Sequence, residues 1–240
     1  MNTKEQSHRL TDFVETHINS STVFHIPPIN VKQVVEDLKN IPDHKATGLD
    51  GIGIKSLKQA LNTIAPSLNH IYNVSIASGA LPNNFKRAKL IPAHKNNSVH
   101  DRSSYRPISI LPVISKPLER HVARSYLDYL TSHMLLHSKQ SAYRPYHSCE
   151  TVLLSLTDNW LKAMDSKELV AAVLLDLSKA FDLVDHSLLL SKINMYHIDN
   201  ISQQWFESYL LDRTQRCTFN HSRRSTRLYP GPRPLLVVNQ

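Results

Sequence analysis

The 240-residue chain is short of several things, and each shortage narrows what it can be. It has two cysteines, Cys149 and Cys217, in unrelated contexts and without a CxxC pair. That argues against a disulfide framework, a disulfide-linked partner or a cysteine-rich zinc module, and makes a reduced intracellular setting, nuclear or cytoplasmic, the simplest expectation. The 14 histidines offer no substitute ligand set. His133 and His137 stand four apart on an expected helix with no third ligand nearby, and read as surface residues. Long apolar runs are missing too: the longest, Leu169–Leu175, is far below the roughly 20 residues that span a bilayer. Met1 to Asn19 is polar and lacks the apolar centre of a signal peptide, so no membrane partner is expected. Glycine is scarce, and three of the five glycines fall in the single loop from Asp43 to Gly53.

What is present supports a folded core. Hydrophobic residues make up 41% and charged residues 20%, enough for one large domain or two small ones. The formal charge of +8 favours a polyanionic partner, because Lys and Arg release the counterions condensed on phosphates.

Residues 1–23 are polar, carry no strong pattern and read as a tail or linker. Phe24–Pro28 reads as extended chain, since proline moves its predecessor out of the helical region. Asn30 is placed to cap a helix with Val31, Val34, Val35 and Leu38 on one face, ended by Pro42. Helices are expected over 54–64 and 66–78, the second opening near Pro66 and closed by Gly79 and Pro82. Phe85–Pro92 alternates Lys86, Arg87 and Lys89 against Ala88 and Leu90, as a strand with one basic face would. A polar loop, Lys95–Ser104, leads to a second strand over Tyr105–Leu111.

Ser115 is placed to cap a helix to about residue 135, with Leu118, Val122, Leu127 and Leu130 inward. The next helix, over 150–164, would turn Val152, Leu153, Leu156, Trp160 and Met164 to the core. Leu169–Leu175 is continuously apolar, as strands covered on both faces are. Asp185 caps a helix to about 196, and Trp205, Phe206 and Leu210 mark another. Arg213–Arg227 reads as a hairpin turning at Asn220-His221-Ser222.

The run that demands an explanation ends in Asp176. A carboxylate closing a buried strand is costly unless its charge is compensated. It caps the following turn, or it faces a hard cation such as Mg²⁺, which takes oxygen ligands. The residues from Leu174 to His186 resemble the first palm motif of reverse transcriptases from non-LTR, LINE-type retrotransposons, jockey-like elements in particular. Four further blocks carry the same resemblance. Lys45–Ile52 is similar to the template-side fingers loop, and Ser104–Leu111, with Ser115-Lys116 after it, to the nucleotide-side fingers strand. Gln140–Pro145 with His147-Ser148 is similar to the next block, and Arg213–Arg216 to the segment after the palm helix. The five blocks keep the family's order and spacing over about residues 24–219.

The resemblance implies an α+β right-hand polymerase fragment: mostly helical fingers with a small antiparallel sheet, plus an incomplete palm. It divides the chain into a tail (1–23), a fingers-like region (24–168), a partial palm (169–228) and a divergent C-terminal tail (229–240). It implies an RNA template, a DNA primer and deoxynucleoside triphosphates as partners, with Mg²⁺ as cofactor, two ions acting on an in-line displacement. Asp176 matches the palm aspartate that binds the ions, and Leu177 the residue whose carbonyl joins it. Phe181 matches the bulky residue that selects deoxynucleotides against the ribose 2′-hydroxyl. Arg106 and Lys95 match the cations that grip the triphosphate, where guanidinium pairs well with phosphate oxygens. Lys45, Gly48, Asp50 and Gly51 match the loop that tracks the template, and Arg144 is assigned template contact as well. Singly, each has a plainer reading: Arg106 a solvated strand residue, the glycines turn formers, Phe181 core. Asp182 and Asp185 are read as helix-entry residues that complement the macrodipole.

The chain departs from the family's pattern in two places. It contains no Asp-Asp pair and no Gly-x-Pro-Gln-Gly block; Tyr229–Leu236, with three prolines, stands where that block is expected. Prolines do not fit a paired central strand, and this stretch reads as garbled or frameshifted sequence. The expectation is therefore a truncated, inactive polymerase domain. The alternative is a remnant, or pseudogene product, that binds nucleic acid without catalysis; a host-domesticated interaction protein is a third class that the motifs do not favour.

Overall fold

Asn30 caps the second helix as its position predicts: its side-chain oxygen accepts from the Gln33 amide at 2.8 Å. The computed structural model describes residues 3–18, 21–94, 98, 100–101, 104–177, 180–217 and 227–230. Along these the helices are α1 (Thr3–His17), α2 (Val31–Lys39), α3 (Ile54–Gln59), α4 (Leu61–Ala77), α5 (Lys116–Ser132), α6 (Cys149–Asp165), α7 (His186–Asn194) and α8 (Asn200–Leu210). The strands are β1 (Arg87–His94), β2 (Tyr105–Ile110), β3 (Thr214–Cys217) and β4 (Arg227–Pro230).

The core forms where α2, α4, α5 and α8 meet. Val34 and Leu38 from α2, Leu61, Leu68 and Tyr72 from α4, Leu118 and Val122 from α5, and Trp205 and Phe206 from α8 are all buried. Trp205 also donates its indole N–H to Ser75 Oγ at 3.1 Å, so this ring is packed and hydrogen-bonded at once. Phe24 and Ile26 enter the same core as extended chain. The Phe24 amide donates to the His197 carbonyl at 2.7 Å, and the Ile26 amide to Ser202 Oγ at 2.9 Å. Buried Asp37 of α2 is held by Arg124 of α5 at 3.0 Å.

The sheet has four strands in the order β2-β1-β3-β4. It is mixed rather than antiparallel: β1 pairs antiparallel with β2 but parallel with β3. A parallel neighbour needs a long crossover, and the helices from α5 to α8 supply it. β3 and β4 pair antiparallel, while the expected turn at 220–222 lies outside the described residues. Pro230 sits in β4, an edge strand, where a missing N–H is tolerated.

Several expectations are corrected. Residues 3–17 form a helix, and Val14 with the following Ile18 is buried; the apolar spacing Leu10, Val14, Ile18 was the signal within an otherwise polar stretch. α4 opens at Leu61, not near Pro66, which lies inside it. The carbonyl of Asn62 loses its donor there, but both residues are exposed, so water can take the bond. Ser115 makes no side-chain cap. It ends a 3₁₀ turn, Val113–Ser115, and its hydroxyl donates to the Pro112 carbonyl at 3.0 Å and to Glu119 Oε1 at 2.6 Å. β1 begins only at Arg87, after a 3₁₀ turn that buries Lys86.

The largest correction concerns residues 149–177. α6 forms, with a Ser148 capping box, but none of its residues is buried; Leu153, Leu156, Trp160 and Met164 are exposed. Leu169–Leu175 is not a covered strand. Leu169 and Leu174 are 103% and 95% exposed, and no backbone hydrogen bond among the described residues involves 169–177. A strand exists only where a neighbour takes its amides and carbonyls, and among the described residues none lies beside this run.

Candidate functional site

The loop 43–53 is built to press against the end of β2. Lys58 anchors its start by an ion pair with Asp43 at 2.7 Å, which holds the Asp43 carboxyl below its ordinary range. Further along, the Gly51 amide donates to the Gly48 carbonyl at 3.3 Å, and Ile52 donates to Asp50 Oδ1 at 3.1 Å. Gly51 has φ +70°, a conformation that favours glycine. Gly48 is buried for a different reason. A Cβ there would lie 2.9 Å from both the Cα and the N of Pro112, which are backbone atoms that cannot swing away.

Two of the resembling blocks are thus in contact, the loop Lys45–Ile52 and the segment that follows Tyr105–Leu111. Lys45 is exposed on this loop. Its charge acts on Lys116 at the start of α5, whose amine is held below its ordinary value, by burial first and by the charge of Lys45 second. Asp50 shapes the turn through its own oxygen, so its first role is local.

Arg106 lies in β2, exposed, in register with Ala93 of β1. Lys95, its expected companion, lies outside the described residues. Arg144 is committed to its own loop: Nη1 donates to the carbonyls of Gln140 at 3.2 Å and His137 at 3.4 Å. Phe181 is partly exposed, not core, and its ring meets Tyr143 edge-on at 6.4 Å. The structure therefore brings Phe181 beside the Gln140–Pro145 block.

Asp176 and Leu177 stand in the exposed stretch described above. Among the described residues no group of three or more His, Cys, Asp or Glu side chains is arranged to hold a metal ion. The donor set thus does not by itself fit a divalent-ion centre: Asp176 brings one carboxylate and Leu177 one carbonyl. Asp185 behaves as the helix cap it was read to be. It accepts from the amides of Ser187 and Leu188, and the Ser187 hydroxyl, the largest influence, holds its carboxyl below the ordinary range.

Sequence reasoning missed a buried polar cluster under the sheet. Arg213, buried just before β3, donates from Nη1 to the Tyr209 carbonyl at 2.7 Å and lies over the Tyr209 ring at 4.5 Å. Its Nε and Nη2 find no hydrogen-bond partner among the described residues. Burial pushes the Glu119 carboxyl above its ordinary range, against the opposing pull of the Ser115 hydroxyl and the Arg213 charge. In the sequence Arg213 stands out only as part of a motif, and no local pattern reveals that α5 and α8 bring these groups together. A cleft of about 520 Å³, lined by His70, Ile71, Val74, Leu81 and Lys86 among others, contains none of the motif residues.

Comparison with known proteins gives a consistent result. A family model described as reverse transcriptase (RNA-dependent DNA polymerase) matches residues 93–231. The chain is 34% identical over 192 residues to the probable RNA-directed DNA polymerase from transposon BS of Drosophila melanogaster, covering 80% of this chain and 21% of that protein. It is 28% identical over 182 residues to the RNA-directed DNA polymerase from mobile element jockey of the same organism (75% and 20%). A third relative, from transposon X-element, is 30% identical over 169 residues (70% and 19%). The chain spans about a fifth of the length of these curated relatives.

Proposed function

Since the chain belongs to the reverse transcriptase (RNA-dependent DNA polymerase) family, in its LINE-type branch, we propose that it forms the fingers and first palm segment of an RNA-directed DNA polymerase domain from a mobile element. In the whole protein it would act on an RNA template, a DNA primer and deoxynucleoside triphosphates. The observation that supports this most is the seating of Gly48 on Pro112. That contact joins the glycine loop to the end of the strand whose opposite end bears Arg106.

In this reading Arg106 grips the triphosphate, with Lys95 beside it, because a planar guanidinium donates to phosphate oxygens in pairs. Lys45, Gly48, Asp50 and Gly51 form the template loop, in which Asp50 sets the turn and Lys45 supplies charge. Phe181, braced by Tyr143, blocks a ribose 2′-hydroxyl. Arg144 holds its own loop and acts on the template only through it. Mg²⁺ would be the ion, with Asp176 and the Leu177 carbonyl as its ligands from this segment. One carboxylate does not hold two such ions, which need several oxygen ligands each. The 240 residues alone are therefore expected to be catalytically silent, and a non-catalytic nucleic-acid-binding remnant is the second reading that the same observation favours.

Two assays separate these statements. Primer extension on an RNA template with Mg²⁺ should give no incorporation by the 240-residue chain; incorporation abolished by Asp176→Asn would contradict the silence. Calorimetric titration with a deoxynucleoside triphosphate should show binding that Arg106→Gln weakens roughly 10- to 100-fold, the size of a lost hydrogen bond to a charged group. Binding untouched by Arg106→Gln would remove that residue from the nucleotide site.

A further inference from the structure

The cleft beside α4 holds a cation that no described residue engages. About 520 Å³ in volume, it opens between the C-terminal half of α4, the turn after it, the 3₁₀ turn Asn83–Lys86 and α8. Ile71, Val74, Leu81 and Pro82 give it apolar walls. Two of its serines are already engaged. Ser75 Oγ donates to the Ala80 carbonyl at 2.7 Å, and Ser208 Oγ accepts from the Leu81 amide at 2.9 Å. Lys86 is different. It lines the cleft at only 6% exposure, and among the described residues it makes no hydrogen bond or ion pair. Burial holds its amine below the ordinary value; the charge of Asp212 acts the other way from a distance, and that of Arg213 adds to the burial. A buried ammonium without a counter-charge is costly, and an incoming carboxylate offsets that cost.

We infer that this cleft is a docking site for an acidic peptide segment of a partner protein, whose carboxylate meets Lys86 while a neighbouring apolar side chain covers Ile71 and Val74. Lys86 selects the sign of the ligand, and the walls select a carboxylate carried beside an apolar group. The shape selects a chain over a small acid. His70, Val74 and Ser78 line the cleft at four-residue intervals, one face of α4 and its cap. That row runs about 12 Å, the reach of roughly four extended residues. Ile71 and Val74, exposed at 42% and 51%, carry the apolar wall out to the surface. The charge favours a peptide over a nucleic acid. One ammonium, with the Asp212 carboxylate in its field, suits a single carboxylate and not a run of phosphates.

The test is fluorescence anisotropy of a labelled hexapeptide of alternating glutamate and leucine, titrated with the full chain. Saturable binding is expected. Lys86→Gln should weaken it roughly 10- to 100-fold, the size of a lost hydrogen bond between charged groups. Val74→Glu, at an exposed helix position where folding is not at stake, sets a like charge on the wall and should weaken binding at least about 10-fold. Lys32→Gln, which removes one charge from an exposed position on α2, should leave the affinity unchanged. The same peptide with glutamine for glutamate should bind at least about 10-fold more weakly. The inference is overturned by a parent chain that binds no peptide, or by a glutamine peptide that binds as well. Affinity unchanged in Lys86→Gln or in Val74→Glu, or an equal loss in Lys32→Gln, overturns it too. So does displacement of the peptide by an unlabelled oligoribonucleotide, since the cleft would then take phosphates. None of the substituted residues belongs to the expected nucleotide or template sites, so the polymerase reading is judged separately, by triphosphate binding and its dependence on Arg106.

Discussion

Two stretches of this chain carry the same kind of apolar pattern and end in opposite environments. α4 and α8 bury most of their apolar residues, with Tyr72 and Trp205 at 0% exposure. α6 and the run that follows it, just as apolar, bury almost nothing: Trp160 is 41% exposed and Leu175 89%. Periodicity declares that a face seeks cover; it does not say whether a partner lies within reach. Around α4 the partners are α2, α5 and α8. Beside Leu169–Leu175 the described residues provide none.

The sharpest way to break this comparison is to truncate one tryptophan in each region. Trp205→Ala should cost about 3–5 kcal/mol, the usual loss for a large buried aromatic. Trp160→Ala should stay within about 0.5 kcal/mol, as surface changes do. Urea denaturation of both variants measures the difference, and equal losses would mean that α6 is packed after all. Gly48→Ala comes next. Its Cβ would strike Pro112 backbone atoms, so a loss of about 1–3 kcal/mol is expected, the range for overpacking, together with weaker template binding. A neutral effect would show that the loop stands off β2.

The helix caps give a smaller contrast. Asn30→Ala should lower global stability by about 1 kcal/mol, while Ser148→Ala should fray α6 and leave the global transition in place. Circular dichroism alongside a core fluorescence signal separates the two. The subtlest test is pH. The Glu119 carboxyl is raised by burial, so its contribution to stability is fully present below the unfolded carboxylate range and is lost as pH rises through the folded value. Glu119→Gln should flatten that decline, and parallel pH curves for parent and variant would count against it.

Local signals carried far in this sequence. The caps at Asn30 and Asp185, the helices led by Val34, Leu118 and Trp205, and both strands of the β1–β2 pair follow from side-chain chemistry within a few residues. What stayed hidden depends on distant partners. The parallel pairing of β1 with β3 joins residues more than 120 positions apart, and no pattern near Arg87 announces Arg216. Arg213 and Glu119 meet only because α5 and α8 pack together. The site followed the same division. The turn of Gly51 was legible from glycine alone, whereas the burial of Gly48 needed Pro112. Lys95 and Asp176 are named by resemblance, the first outside the described residues and the second in no group of three or more His, Cys, Asp or Glu side chains among them.

Native-state hydrogen exchange tests the central contrast most directly, because it reads backbone protection residue by residue. The amides of Val170 to Leu175 should exchange at nearly the unprotected rate, while those of Leu68 to Ile76 in α4 exchange only through global unfolding. Equal protection in the two stretches would contradict the account, since it would mean that Leu169–Leu175 is a paired strand in this chain.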